Sequence, residues 1–259
     1  MRWSRPLERR TGLIGTKETV LVGSPTSAHV AAVRSAWESG RAVKILEPGG
    51  TWFRVVGGAS EAEAHARAVS LFASKALCRF SPILNAAGEI YPCAYAADVD
   101  RVALWETVLR NARHAGIKRV PPQETRDRYL FRLTFTRPQK LVDLSRPANL
   151  FTALAGERPP DLSAAWPKDY LRTGQWAQML MTELAGAEGL FYESHQISGH
   201  CVSLYGMKDE RTRFQILDYA GPVRSGPVRK ILLTEADRAG LAIEFDEIED
   251  ILHPNDHRE

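Results

Sequence analysis

The chain has 259 residues, 44% hydrophobic and 25% charged, with a formal net charge of +3. This is an ordinary globular composition, long enough to bury a sizeable core. It argues against a disordered chain and makes no strong case for a nucleic-acid or membrane-surface partner, although local basic patches would suit an anionic substrate. The cysteines Cys78, Cys93 and Cys201 show no CxxC spacing, so neither a disulfide framework nor a zinc site is expected. No apolar run has the length of a membrane span, and no apolar stretch follows the basic N-terminus as a secretory signal would require. A cytoplasmic protein is the expectation.

Residues Met1 to about Gly15 read as a basic, loosely ordered arm, within an N-terminal extension covering 1–48. Thr19 to Val22 predicts a short strand. Ser24 and Ser27 offer caps for a helix with Val30, Val33 and Trp37 one turn apart and Gly40 at its end. Pro48 to Gly50 marks a turn. Thr51 to Val56 is strongly β-prone, and strand alternation puts Trp52, Arg54 and Val56 on one side. Arg54 therefore faces either solvent or a cleft. A helix is predicted from Ser60 to about Leu77, with Glu61 and Glu63 suited to its positive end. Cys78 to Pro82 breaks it, and Asn85 to Gly88 turns the chain. Glu89 to Tyr95 reads as a short buried strand. Asp98 or Asp100 then caps an amphipathic helix carrying Val99, Val102, Ala103 and Leu109. Glu106 sits among these apolar residues. It is either an edge carboxylate turned to water, the commoner case, or a functional carboxylate at a cleft, where burial demands a partner.

Pro121 and Pro122 mark a loop, and strands are predicted at Tyr129 to Phe135 and Lys140 to Leu144. Asn149 to Ala155 reads as a short helix. Tyr170 to Leu184 reads as a long one, with Trp176, Leu180 and Leu184 on one stripe. Further strands are expected at Gly189 to Gln196, Val202 to Tyr205 and Phe214 to Leu217. The tail reads as a strand from Val228 to Leu233, then a helix from Thr234. Strands that follow one another without intervening helices point to an α+β fold with a mainly antiparallel sheet.

The chain lacks GxGxxG after a strand, a P-loop, a GxSxG elbow and HExxH. Its seven histidines do not cluster at metal-ligand spacing, and no metal is expected. His195 and His200 fall in a turn where a surface role is the expectation. What remains is a set of polar residues at the ends of apolar strands and on one helix: Arg54, Arg79, Tyr95, Glu106 and Ser194.

In order and surroundings these residues resemble the RES domain family. W-F-R-V resembles its opening aromatic-Arg strand and assigns Arg54. C-R-F-S-P resembles its Gly-Arg turn and assigns Arg79, with Cys78 where the family usually has Gly. A-Y-A-A-D-V-D-R-V-A-L-W-E-T-V-L resembles its strand ending in Tyr followed by the helix bearing Glu, and assigns Tyr95 and Glu106. L-V-D-L-S, T-G-Q-W-A-Q-M-L and G-L-F-Y-E-S-H are similar to later family segments, the last assigning Ser194. No single segment is specific, but their shared order is. The likeness runs from about Gly49 to Gly206, placing a catalytic core at 49–210 and a C-terminal extension at 211–259 that packs on it.

The resemblance implies an ADP-ribosyltransferase-like split antiparallel sheet with flanking helices, and a toxin-like enzyme that cleaves NAD at the nicotinamide–ribose bond. Hydrolysis, phosphorolysis and ADP-ribosyl transfer all remain open. It implies NAD as substrate, with Glu106 supporting an oxocarbenium-like state. Arg54 and Arg79 are then phosphate forks, and Tyr95 and Ser194 lie near the nicotinamide and ribose. Glu106, Arg54 and Ser194 are the expected catalytic set, with Glu106 the expected partner of Arg54 in the free protein. The implied partner is a cognate antitoxin of helix-turn-helix (Xre) type, with no direct nucleic-acid binding. The alternatives are a non-catalytic binding module of the same fold and a protein-modifying ADP-ribosyltransferase effector.

Overall fold

The β-prone run after Pro48–Gly50 forms strand β2 (Trp52–Gly57), and the sheet is organised about it. The computed structural model describes residues 24–71, 79–85, 87–110, 118–145, 162, 169–206 and 213–246. With β1 (Val43–Leu46), β3 (Cys93–Ala97), β5 (Arg128–Phe135), β6 (Gln139–Asp143), β7 (Gly189–Glu193), β8 (His200–Tyr205) and β9 (Phe214–Pro222), β2 makes an eight-stranded sheet. Its order is β1-β6-β7-β8-β3-β2-β5-β9. Every neighbouring pair is antiparallel except β6 and β7. A separate parallel pair joins β4 (Arg119–Val120) to β10 (Ala242–Ile243). Among the described residues the α-helices are α1 (Ser27–Glu38), α2 (Glu61–Ala68), α3 (Asp100–Thr107), α4 (Tyr170–Glu183) and α5 (Gly226–Arg238). The expected α+β class with a mainly antiparallel sheet is what the chain adopts.

One joint in this sheet is weak. β2 pairs with β5 from Trp52 to Gly57, and β3 pairs with β8 from Cys93 to Ala97. Between β2 and β3 the register holds only Phe53 opposite Ala97. Beyond that rung the two strands part, and the sheet is split.

Alternation sorts the side chains into two cores. Val102, Leu104, Trp105, Trp176, Leu180 and Leu190 fill the face covered by α1, α3, α4 and α5. Trp52, Val56, Ala64, Phe131, Leu133 and Phe191 fill the face covered by α2. The local signals that set these helices are short. The Thr26 side chain caps α1 by accepting from the His29 N–H, and Ser60 Oγ caps α2 by accepting from the Glu63 N–H at 3.2 Å.

Several expectations are corrected. The segment Val228 to Leu233 is helical, not a strand: Pro227 sits in the first turn of α5, and Val228, Leu232 and Ala236 recur every fourth residue on its buried stripe. The aliphatic run V-R-K-I-L-L looked extended only because its helical period needed the following residues. The strand predicted from Glu89 begins at Cys93 and runs past Tyr95 to Ala97. Neither Asp98 nor Asp100 caps α3; Val99 holds the N-cap position without a side-chain bond. Asp98 is engaged elsewhere, by His200. The helix from Ser60 stops at Ala68, and its expected continuation over 72–77 lies outside the described residues, as do the strand at Thr19–Val22 and the helix at Asn149–Ala155. Strands β1, β4 and β10 were not anticipated. β1 and β9 sit at the two edges of the sheet, so segments on both sides of 49–210 contribute strands to it.

Candidate active site

Where β2 and β3 part, a cavity of about 260 Å³ opens. Phe53, Arg54 and Val55 line it from β2, and Cys93, Tyr95 and Ala97 from β3. Ala103, Glu106 and Arg110 come from α3 and the chain just after it, Tyr192 and Cys201 from β7 and β8, and Arg128 from the start of β5.

Glu106 is the best-held polar group on the wall. Its side chain is 9% exposed, and each of its oxygens has a partner. Ser194 Oγ donates to Oε1 at 2.7 Å, and Arg79 Nη1 donates to Oε2 at 3.3 Å. Of the two readings of Glu106, the edge carboxylate turned to water is therefore wrong. The carboxylate is buried, compensated and fixed in direction.

Each partner is held in turn. Ser194 follows β7, and its Oγ accepts from the Gln196 N–H at 3.2 Å. Its own N–H donates to the Gly199 carbonyl at 2.8 Å, which closes the β7–β8 turn. That turn lies directly on α3: a Cβ on Gly199 would stand 2.5 Å from Val102 Cγ2 and 3.0 Å from Asp98 Oδ1. Asp98 secures it further, accepting from the His200 N–H and Nδ1, each at 2.9 Å. His200 is thus not a bare surface group but half of a latch between the β3–α3 junction and the turn bearing Ser194.

Arg79 is 1% exposed and does not line the cavity. It lies behind Glu106, over the Tyr192 ring at 5.7 Å. Burial pulls its pKa down, but Glu106, Tyr192, Tyr170 and Cys201 together outweigh this, and the net direction is up. The segment carrying it is pinned by Thr173, whose hydroxyl donates to the Arg79 carbonyl, and by Tyr205, whose hydroxyl donates to the Phe80 carbonyl at 2.6 Å. Thr173 opens the T-G-Q-W-A-Q-M-L stretch, so the tertiary contact gives that motif a physical role.

Arg54 stands apart. With Trp52 and Val56 it belongs to the face covered by α2, whereas Tyr95, Glu106, Tyr192 and Ser194 belong to the other. It is 2% exposed, and Nη1 donates to the carbonyls of Ala68 at 2.8 Å and Ser70 at 2.9 Å. Burial lowers its pKa to about 10, which leaves it cationic near neutrality. The expected Arg54–Glu106 pair does not form: Glu106 is paired with Arg79. The reason is strand alternation, which sends Arg54 through the sheet, away from α3.

Two other lining groups are chemically quiet. Burial, followed by the charge of Glu106, pushes the Cys201 thiol well above its ordinary value. Burial, followed by Cys201, does the same to the Tyr192 hydroxyl. Burial thus disfavours the Cys201 thiolate, the nucleophilic form. Among the described residues no group of three or more His, Cys, Asp or Glu is arranged to hold a metal ion, and no helix is long and apolar enough to cross a membrane.

The sequence reading missed Arg110, Arg128 and Tyr192 on the cavity wall. Tyr192 had a signal, since it lies beside Ser194 in the G-L-F-Y-E-S-H stretch. Arg110 had a weaker one, four residues after Glu106. Arg128 had none, because only the β2–β5 register brings it to Gly57.

Comparison with known proteins bears on the family and the fold. No curated protein sequence matches the chain. Among solved structures it is similar to a chain of the crystal structure of the M. tuberculosis MbcT–MbcA toxin–antitoxin complex. The TM-score is 0.50 at 15% identity, covering 80% of this chain and 98% of that one. This likeness is one of fold, and it agrees with the ADP-ribosyltransferase-like split sheet. The model of the RES domain family matches residues 51–223, a span that runs from β2 to the end of β9 and takes in Arg54, Arg79, Tyr95, Glu106 and Ser194, and the chain belongs to that family.

Proposed function

We propose that this protein is the toxin of a toxin–antitoxin pair and that it cleaves NAD at the nicotinamide–ribose bond. The observation that carries this reading is the Glu106 carboxylate, held between Ser194 and Arg79 on the wall of a cavity at the sheet's split. Breaking the bond between ribose and nicotinamide builds positive charge on the sugar. A carboxylate already desolvated and aimed stabilises that charge without reorganising at the moment of reaction. Arg79 and Ser194 do the aiming. Arg79 is thus a positioning residue, rather than the phosphate fork that the resemblance implied.

A volume near 260 Å³ is small for a whole dinucleotide, so the adenosine end would lie outside it. Tyr95 and Tyr192 supply aromatic surface for the pyridinium ring, beside an apolar lining that includes Phe53 and Ala103. Arg54 ties β2 to the chain after α2 and so shapes the second wall. The acceptor is water, phosphate or a protein side chain. An enzyme that consumes NAD endangers the cell that makes it, and a cognate antitoxin covering the cleft meets that need.

The test is nicotinamide release from NAD by purified protein, with mass spectrometry of the ribosyl product to name the acceptor. Glu106→Gln should remain folded at a lowered melting temperature, since it strips buried Arg79 of its counter-charge, and should lose about 10²-fold or more of turnover, in the range seen for comparable electrostatic groups. Its expression should no longer arrest growth. Undiminished NAD depletion by the Gln variant would remove Glu106 from the mechanism. Harmless expression of active wild-type protein without any neighbouring gene would remove the antitoxin.

A further inference from the structure

The cavity wall carries one carboxylate and several arginines, and their commitments differ. Glu106 is neutralised from behind by Arg79, which never reaches the cavity. Arg54 lines the cavity but donates its Nη1 to backbone carbonyls on the far face of the sheet. That leaves Arg110 and Arg128.

Arg110 lies four residues beyond Glu106 and lines the same cavity. Its guanidinium is stacked on Tyr170, 4.6 Å from the ring centroid. Its Nε and Nη2 are buried and have no hydrogen-bond acceptor among the described residues. The ring holds the guanidinium carbon from one side, and the Nε and Nη2 donors remain to be used. Tyr170 feels this neighbour: burial raises its pKa, and the charges of Arg110 and Arg79 oppose the rise. A buried N–H donor without an acceptor is costly, and an anion arriving at that edge supplies one. Arg128 approaches from β5. It is paired with Gly57 and lines the same cavity. No ion pair engages Arg128 among the described residues.

We propose that Arg110, stacked on Tyr170, and Arg128 form the phosphate-binding clamp of this cavity. The clamp takes the pyrophosphate of a dinucleotide whose ribose lies against Glu106. This rests on the NAD reading and adds the residues that recognise the anionic half of the substrate. Glu106 receives the positively charged ring and ribose, and Arg110, four residues further on, receives the negative phosphates together with Arg128. Planar forks match phosphate oxygens in a way that a lysine point charge does not.

Calorimetric titration of wild type, Arg110→Met, Arg110→Lys and Arg128→Met with ADP-ribose, and separately with inorganic pyrophosphate, tests the clamp. Thermal melting selects the variants that are folded. Arg110→Met should weaken ADP-ribose by about tenfold or more, the loss expected for charge-assisted hydrogen bonds. Arg110→Lys should restore only part of it, and Arg128→Met should show a smaller loss. Nicotinamide riboside, which has no phosphate, should bind all four proteins alike. Equal binding of ADP-ribose and pyrophosphate by wild type and the Met variants would overturn the clamp, and so would no binding of either by wild type. Pyrophosphate binding that depends on Arg110, without any affinity for NAD, would keep the clamp and remove the NAD reading.

Discussion

The sheet is two half-sheets that meet at one rung, and they treat their polar groups in opposite ways. In the half formed by β1, β6, β7, β8 and β3, the polar side chains turn toward one another. Ser194 and Arg79 converge on Glu106, and Asp98 closes on His200. In the half formed by β2, β5 and β9, Arg54 is spent on backbone carbonyls, while Arg128 stays open to the cavity. A continuous ladder would have joined the halves and sealed the gap with backbone hydrogen bonds. Because β2 and β3 part beyond Phe53 and Ala97, a carboxylate fixed on one half and the Arg128 cation of the other line one space that a ligand can enter. The preorganised half suits a group where charge develops in the reaction, and the open half suits one that waits for its partner.

The sharpest way to break this contrast is to remove the cation behind Glu106. Arg79→Ala should destabilise the protein by about 3–5 kcal/mol, the usual cost of orphaning one member of a buried pair. Urea unfolding measures it. The double variant Arg79→Ala with Glu106→Gln should recover part of that loss, because the uncompensated charge is then gone. Additive losses would mean that the pair is not coupled.

On the other half, Arg54→Ala should cost less, about 1.5–3 kcal/mol for lost charged hydrogen bonds. Its companion change should be local: faster amide exchange around residues 68–71, whose carbonyls lose their donor. Exchange that instead accelerates around Ser194 would place Arg54 in the wrong half.

Gly199→Ala probes the seam between α3 and the turn bearing Ser194. The added Cβ would meet Val102 Cγ2 at 2.5 Å, so the turn must lift, at about 1–3 kcal/mol for overpacking. Turnover should fall with it as Ser194 leaves Glu106. A variant with wild-type stability would show that the turn yields freely.

The smallest effect lies outside both halves. Hydrogen bonds from Arg126 and Arg224 hold the Asp246 carboxyl below its ordinary value of 3.8. A lowered carboxylate contributes stability at pH values above that ordinary value, and loses it as the pH falls through the folded-state pKa. Asp246→Asn should therefore lie slightly below wild type in melting temperature near neutrality and converge with it under acid. A constant difference down to low pH would exclude this linkage.

Much of the architecture was readable from local pattern. Alternation in Tyr129–Phe135 and the stripe of Trp176, Leu180 and Leu184 placed β5 and α4, because period and burial are properties of neighbouring residues. The order of short motifs also brought out Arg79, Tyr95, Glu106 and Ser194 together, although they lie far apart in the chain. Alternation even put Arg54 on the side of Trp52 and Val56. What it could not say is which core that side faces, since this depends on where α2 and α3 pack. The pairing of Glu106 with Arg79 and not Arg54, the latch of Asp98 on His200, and the arrival of Arg128 at Gly57 are contacts between distant segments. So is the parting of β2 from β3 that makes the cavity. Each follows from strand register and helix placement, which many weak contacts set together and no single stretch encodes.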